Sequence, residues 1–354
     1  MSLLNKTTQR RSLVIFSVMY PRDIEQEYEK PARLLLDGKY VQTACMGCYD
    51  QPCIRFSEDE IRCPEFSDFS YERDFSVCPM KAIRWSYEIE TPEIDHAACI
   101  GCGICAARCP VGAIYFNGRS AGVSRLRDKR YTMRVAYSPA AVERQKKQLD
   151  IVNKIAWRHQ FRKESMEAMA DIYDVLSRVD GRSMVPNLIV RNLLICCGYK
   201  CAISRSGDVY TRMDAVYSGK ADWNKTLGVV EVEFGRDTLD ASRGILDDIA
   251  VLHSRSHIDK NTNSALVVCL SFPNKRQGYF QVIKDIKNVL GLKIQTISLG
   301  VLLMFAWNSV TVNFDKKMFY ADFDKMSIAT ATEDNLCRVP FIPYGYLGIM
   351  EPEK

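Results

Sequence analysis

Two sets of closely spaced cysteines give the first third of the chain its chemistry. Cys99, Cys102, Cys105 and Cys109 stand in CIGCGICAARCPVGAI as C-x2-C-x2-C-x3-C-P, while Cys45, Cys48 and Cys53 stand in CMGCYDQPC, with Cys78 following in VCPMKAI. Cysteine thiolates hold iron–sulfur clusters, four to each [4Fe–4S] cubane, and in the C-x2-C-x2-C-x3-C-P run the fourth sulfur serves a different cluster from the first three. Eight thiolates in this arrangement therefore serve two [4Fe–4S] clusters. The two-residue spacers let a tight turn aim successive sulfurs at different irons while its N–H groups point at the cluster, and Gly47, Gly101 and Gly103 suit such turns. Cysteines in ligand spacing imply a reducing compartment rather than disulfides, so the expected location is cytoplasmic.

Residues 40–118 resemble the two-cluster ferredoxin domains, including the electron-transfer subunits of oxidoreductases, whose first motif also reads C-x2-C-x4-C with Pro before the third Cys. This chain departs from them between the third and fourth cysteines. Ile54–Val77 intervenes where such motifs leave about three residues. Cys63, also followed by Pro, lies in that stretch and competes with Cys78 as a ligand. The repeated context of VCPMKAI and CPVGAI favours Cys78.

A second constellation consists of carboxylates: Asp214 at the start of DAVY, and Glu231 and Glu233 alternating in VVEVEFG. Residues i and i+2 of a strand share a face, so the two glutamates project together, and Asp214 on a neighbouring strand can reach the same point. The elements that must position them read in order from Val185. An amphipathic helix in NLIVRNLLICC stops at Gly198, and strands follow in CAIS, DVYTRMDAVYS and LGVVEVEFG. A helix in ASRGILDDIAVLHS, a strand in ALVVCLSF, a helix in YFQVIKDIKNVLG and a last strand through KIQTISLGVLLMF complete the series.

That order and those acids resemble the PD-(D/E)xK nuclease superfamily over residues 181–310, and EVEFG is similar to type II restriction endonucleases carrying Glu or Gln in place of the Lys. The resemblance implies a restriction-endonuclease-like mixed sheet flanked by helices, with Asp214 and Glu231 as ligands of Mg²⁺ and Glu233 holding or deprotonating the attacking water. Mg²⁺ suits a few carboxylates plus water and phosphate oxygens. Met213 stands where the pattern has Pro, and Asn187 and Asn192 stand where many relatives have a helix Glu.

Charge is unevenly placed. Net charge is −4 over residues 1–118, +9 over 119–164 and zero over 165–354. Within the basic block, Arg125, Arg127, Lys129 and Arg130 are the candidate DNA phosphate contacts. The apolar spacing of Ile151, Ile155, Trp157 and Phe161 predicts a long helix over 140–179, ended by Gly181.

At 354 residues, with 47% hydrophobic and 26% charged, the chain has the composition of a globular protein of two or three domains. Its longest apolar run, LGVLLMFAW, is too short for a membrane span and reads as a buried strand. Arg10-Arg11 before a short apolar stretch has the look of a twin-arginine export signal, but a strand entering the first domain is the expected reading. Cys196, Cys197, Cys201, Cys269 and Cys337 are expected to be small buried hydrophobes, and His253 and His257 to face solvent.

The expected class is a multidomain α+β or α/β chain: a dicluster ferredoxin-like domain (1–118), a basic, mainly helical connector (119–180), the restriction-endonuclease-like domain (181–312) and a C-terminal extension (313–354). The expected activity is Mg²⁺-dependent DNA cleavage, on duplex rather than single strands, by a chain that can form a homodimer. The clusters would be structural or redox-sensing, with a redox partner in the latter case. Two other readings compete: a ferredoxin-type electron-transfer protein whose C-terminal domain docks a partner, and a non-catalytic, redox-sensing DNA-binding protein.

Overall fold

A computed structural model describes residues 45, 47–109, 113–116, 120–123, 164–180, 183–209, 211, 213–219, 227–235, 238–255, 263–273, 278–307, 311, 312 and 314. The chain divides into two compact units, one of residues 1–55 and 76–168, the other of 56–75 and 169–354. The long insertion between Cys53 and Cys78, which sequence placed inside a first domain of residues 1–118, therefore belongs by its packing to the second unit. The reason is its apolar content. Phe56, Ile61, Phe66 and Phe69 are at most 8% exposed, and a small cluster-binding segment has no core deep enough to take them.

In the first unit, two short antiparallel strand pairs each follow a Cys-Pro pair in sequence. Strand β1 (Ile83–Ser86) pairs antiparallel with β2 (Thr91–Ile94), and β3 (Ile114–Phe116) with β4 (Ala121–Val123). The repeat visible in VCPMKAI and CPVGAI is structural: the N–H of Ala82 donates to Cys78 Sγ and that of Ala113 to Cys109 Sγ, each at 3.2 Å. The single-turn helix Ile104–Arg108, here α2, starts from Gly103 in the left-handed region at φ 69°. An L side chain there would be strained.

The second unit is a five-stranded mixed sheet with helices against it. It holds α1 (Glu58–Ile61) within the insertion, then α3 (Glu164–Leu176, which begins in the first unit), α4 (Val185–Cys196), β5 (Lys200–Ile203), β6 (Ala215–Ser218) and β7 (Leu227–Glu233). There follow α5 (Ala241–Ser254), β8 (Asn263–Cys269), α6 (Tyr279–Leu290), β9 (Ile294–Ser298) and α7 (Leu299–Trp307). The strands lie in the order β5-β6-β7-β8-β9; the first two pairings are antiparallel and the last two parallel. Parallel pairing requires crossovers, which α5 and α6 supply.

One sheet face packs Ala202, Val216, Val229, Ala265, Val267 and Ile294 against apolar residues of α5 and α6. Cys63, Phe66 and Phe69 of the insertion belong to the same buried cluster. The insertion thus covers the β5–β6 end of a face whose other end the two helices cover. By strand alternation, Cys201, Tyr217, Val230 and Leu266 point the other way, and all four are wholly buried. Helix α4 packs on β5, and α7 on both β9 and α4.

The run LGVLLMFAW is a helix and not the continuation of a strand. Its nine residues are all buried, so no polar alternation marks its period, and a short apolar run of this kind reads equally as helix or strand. Cys197, Cys201 and Cys269 are buried as expected, and Cys196 is partly so; Cys337 lies outside the described residues. His253 is partly buried and His257 lies outside the described residues, as do Gly181, Arg10-Arg11 and the C-terminal extension from 315 on. Of the helix expected over 140–179, the described part runs Glu164–Leu176. Among the described residues, no helix is long and apolar enough to cross a membrane.

Candidate functional site

The cysteines sort into two groups of four. Burial first, then its neighbours Cys109, Cys45 and Cys48, pushes the Cys53 thiol well above the usual range. Cys105 is pushed well up by burial, then by Cys102, Cys78 and Cys99, and last by Cys53, which lies near enough to link the two groups. Cys45 rises to about 11 through burial, with Cys109 adding to the effect and the Gly47 N–H opposing it. One group is therefore Cys45, Cys48, Cys53 and Cys109, and the other Cys78, Cys99, Cys102 and Cys105, each remote cysteine having crossed to the other motif's three. Gly47, Gly101 and Gly103 all take positive φ, between 59° and 69°, as tight ligand turns require.

Cys63 lies elsewhere. It is 4% exposed in the core of the second unit, where its thiol donates to Val216 O at 3.8 Å. Burial raises it to about 12, with Glu65 adding to the rise and Ser218 and Lys200 opposing it, and none of the eight motif cysteines is among its neighbours.

Thiols crowded as those of Cys53 and Cys105 are resist losing their protons, and cationic irons supply the compensating charge. The donor set fits two iron–sulfur clusters on that chemistry, and the N–H bonds to Cys78 and Cys109 fit it too, since sulfur ligands of clusters accept such bonds. Among the described residues, no three Cys, His, Asp or Glu side chains converge as a ready cage for a single ion. Ligands of a cubane, each on its own iron, need no such convergence.

The carboxylates meet where β6 and β7 pair. Asp214 immediately precedes β6, where its carbonyl accepts from Ser204 N at 3.0 Å. Its Oδ1 accepts from Asn187 Nδ2 of α4 at 2.9 Å, and its Oδ2 accepts from the N–H of Val232 at 2.8 Å. Val232 separates Glu231 from Glu233, so the strand carrying the two glutamates also fixes the aspartate. Burial raises the Asp214 pKa, while the two donors from Val232 and Asn187 lower it.

Glu231 is raised to about 8 by burial first, then by Asp214, Asp248 and Glu233, and its hydrogen bond with Asp248 adds to the rise. Buried acids crowded together favour the neutral form unless a cation joins them. Glu233 is turned back on its own chain, with Oε1 accepting from Gly235 N at 2.6 Å. The structure thus brings Asp214 and Glu231 together with Glu233 close by but engaged.

Sequence reasoning missed Asp248, a 3%-exposed acid on α5. The signal was available: Ala241, Ile245, Asp248, Ile249 and Leu252 form the buried stripe of α5, and an acid inside an apolar stripe needs a partner. Gly244, one turn earlier, leaves room for Glu231, because a Cβ there would stand 3.1 Å from Glu231 Oε1. Asn187 has a definite place on Asp214, while Asn192 is wholly buried and accepts from Arg191 Nε at 2.9 Å. Arg125, Arg127, Lys129 and Arg130 lie outside the described residues.

Comparison with known proteins bears mainly on the first unit. The 4Fe-4S dicluster domain family matches residues 75–113. Two uncharacterized ferredoxins of Methanocaldococcus jannaschii are similar. One is 30% identical over 84 residues, covering 24% of this chain and 37% of the relative. The other is 44% identical over 77 residues, covering 22% and 36%. The chain thus spans little more than a third of the length of the curated relatives it matches. A solved structure of restriction endonuclease FokI is similar with a TM-score of 0.34 and 10% identity, covering 59% of this chain and 38% of that one. A likeness at that level leaves the second unit to be read from its own elements. The chain carries an iron–sulfur, ferredoxin-type 4Fe-4S dicluster segment joined to a second unit built on a mixed sheet flanked by helices.

Proposed function

We propose that this protein is an iron–sulfur-containing, Mg²⁺-dependent DNA endonuclease whose second unit has a restriction-endonuclease-like fold of the PD-(D/E)xK type. The observation that carries the reading is the Asp214 carboxylate, pinned from both sides by Asn187 and Val232 N beside Glu231. It sits in a sheet with the directions that fold requires: a helix, three antiparallel strands, then helix and parallel strand in alternation. The pairing of acids has no obvious structural purpose, since buried acids set beside one another cost stability unless a cation joins them.

In this reading Asp214 and Glu231 hold the cation, and Asn187 and Val232 N keep Asp214 from rotating away. Bound Mg²⁺ supplies Lewis-acid stabilisation of the scissile phosphate and an acidified water. Glu233, on leaving Gly235 N, would be placed to orient an attacking water and accept its proton. Cys45, Cys48, Cys53 and Cys109 bind one [4Fe–4S] cluster and Cys78, Cys99, Cys102 and Cys105 the other, in a structural or redox-sensing role. The basic block at Arg125, Arg127, Lys129 and Arg130 contacts phosphates of a DNA duplex. The test is anaerobic incubation of the purified protein with labelled duplex and single-stranded DNA in Mg²⁺ or Mn²⁺. Divalent-dependent cleavage supports the reading, and none on any substrate removes it.

The dicluster match and the ferredoxin relatives favour a second reading, electron transfer with the second unit docking a partner. It predicts reversible reduction of the clusters with no effect of Asp214 or Glu231 on function.

A further inference from the structure

The stretch that sequence treats as an interruption of the ferredoxin-like motif is tied into the chain in an unusual way. It leaves the first unit after Arg55, two residues past Cys53, and re-enters it at Ser76, two residues before Cys78. Its two ends run side by side: Val77 N donates to Ile54 O at 2.9 Å, Arg55 and Ser76 form an antiparallel bridge, and Phe56 N donates to Phe75 O at 2.8 Å. Both ends of this stem thus abut cysteines that fall in different four-thiol groups.

The loop that grows from the stem wraps the exposed edge of the second unit's sheet. Strand β5 is an edge strand, and Ser70–Glu72 cover part of it. Glu72 N donates to Ile203 O at 2.8 Å, Arg205 N donates to Ser70 O at 3.0 Å, and Tyr71 bridges Ser204. On one side of that edge, Cys63, Phe66 and Phe69 complete the apolar core. On the α4 side, the Phe56 ring lies 5.7 Å from the guanidinium of Arg191. Arg191 is wholly buried, neither terminal nitrogen has a hydrogen-bond partner among the described residues, and Asp74 and Glu72 of the loop itself are acids whose charge favours its cation. The loop thus holds itself over Arg191 by charge, while the guanidinium's unmade hydrogen bonds are what water would satisfy if the cover lifts. Edge strands left open are also sites of mispairing, which natural folds cover.

We infer that residues 56–75 form a clasp on the β5 edge whose closure depends on occupancy of the cluster sites at Cys53 and Cys78. Metal binding orders a small ligand segment that has little core of its own, so metal free energy is folding free energy there. With the clusters bound, the stem is fixed and the clasp is a short closed loop. With them removed, the stem loses its order, and docking must close a longer, looser loop. Helix α4 carries Arg191 under the clasp and, one turn earlier, Asn187 on Asp214. Opening of the clasp therefore starts next to the element that holds the carboxylate site. The inference does not rest on nuclease activity.

Hydrogen exchange on the full chain tests it, comparing anaerobically purified protein with the same protein after iron chelation. Cluster removal should speed exchange at Glu72 and Arg205, the donors of the clasp bonds, by about tenfold or more, while Leu266–Cys269 of β8 keep their protection. Unchanged exchange at Glu72 and Arg205 would overturn the inference, and so would equal loss at β8, which would mean global unfolding. Linkage supplies the reciprocal test. Phe66→Ala, or Phe66→Leu where the former weakens β8 itself, should increase the fraction of iron lost at a fixed chelator concentration. Iron retention equal to wild type would contradict coupling.

Discussion

The carboxylate of Asp214 accepts a 2.8 Å hydrogen bond from the backbone N–H of Val232. That one bond sets the geometry of the candidate site. It ties an acid just before β6 to the residue between two glutamates of β7, so Asp214 stays beside the strand that carries both glutamates. Asn187 completes the hold from α4 at 2.9 Å. Replacing Asn187 by Ala should leave Asp214 held on one side only, weakening Mg²⁺ binding by roughly 1 kcal/mol, the net worth of one such bond. Titration calorimetry checks this, and affinity equal to wild type would assign Asn187 to packing alone.

Gly244 gives a sharper test of space. Alanine there should gain up to about 1 kcal/mol of helix stability, yet its Cβ would press on Glu231 Oε1 at 3.1 Å. A variant that melts no lower than wild type but needs about tenfold more Mg²⁺ would separate the site from the scaffold. Equal metal requirement would mean Glu231 has room to move aside.

Metal-free stability should depend on pH through Glu231. Its folded pKa of about 8 exceeds the ordinary 4.5, so the folded state holds a proton that the unfolded chain releases. Below pH 4.5 the two states do not differ in this group. As pH rises from there to about 8, stability falls by at most about 1.4 kcal/mol per unit, and the loss levels off above. Urea midpoints measured without divalent ions should show this decline, and Glu231→Gln should flatten it. Identical slopes in both proteins would contradict the assignment.

Iron content addresses the ligand sets. Anaerobic wild type should carry on the order of eight irons per chain, two cubanes of four. Cys78→Ser should lower that content. Cys63→Ser should keep it, at the cost of about 1–3 kcal/mol for a hydroxyl placed in an apolar core. The reverse pattern would exchange their roles.

Neutralising Arg125, Arg127, Lys129 and Arg130 together should weaken duplex binding and lower the slope of log affinity against log salt by roughly 0.9 for each phosphate left without its cation. A slope equal to wild type would give the block to a protein partner.

The local chemistry was legible in sequence because it is local. Cysteine spacing encodes turns, and the elements from α4 to α6 follow apolar periodicity bounded by breakers such as Gly198 and Gly291, both at positive φ in the structure. What was hidden depends on distance along the chain. That Cys63, Phe66 and Phe69 pack against Ala202 and Val216 follows from tertiary burial, which the intervening residues do not announce. Asp248 shared this fate, since its partner Glu231 lies on another element. Helix α7 was misread as strand for the opposite reason: complete burial erased the polar–apolar contrast that carries period.

The most direct measurement is anaerobic cleavage of supercoiled plasmid by wild type and Asp214→Asn, with iron content and duplex affinity determined on the same samples. The account predicts Mg²⁺-dependent nicking or linearisation by wild type, and loss of at least about a hundredfold in Asp214→Asn, or some 2.7 kcal/mol of barrier. Iron and DNA affinity should stay equal in the two proteins. Cleavage surviving in Asp214→Asn, or no cleavage by wild type, would contradict it.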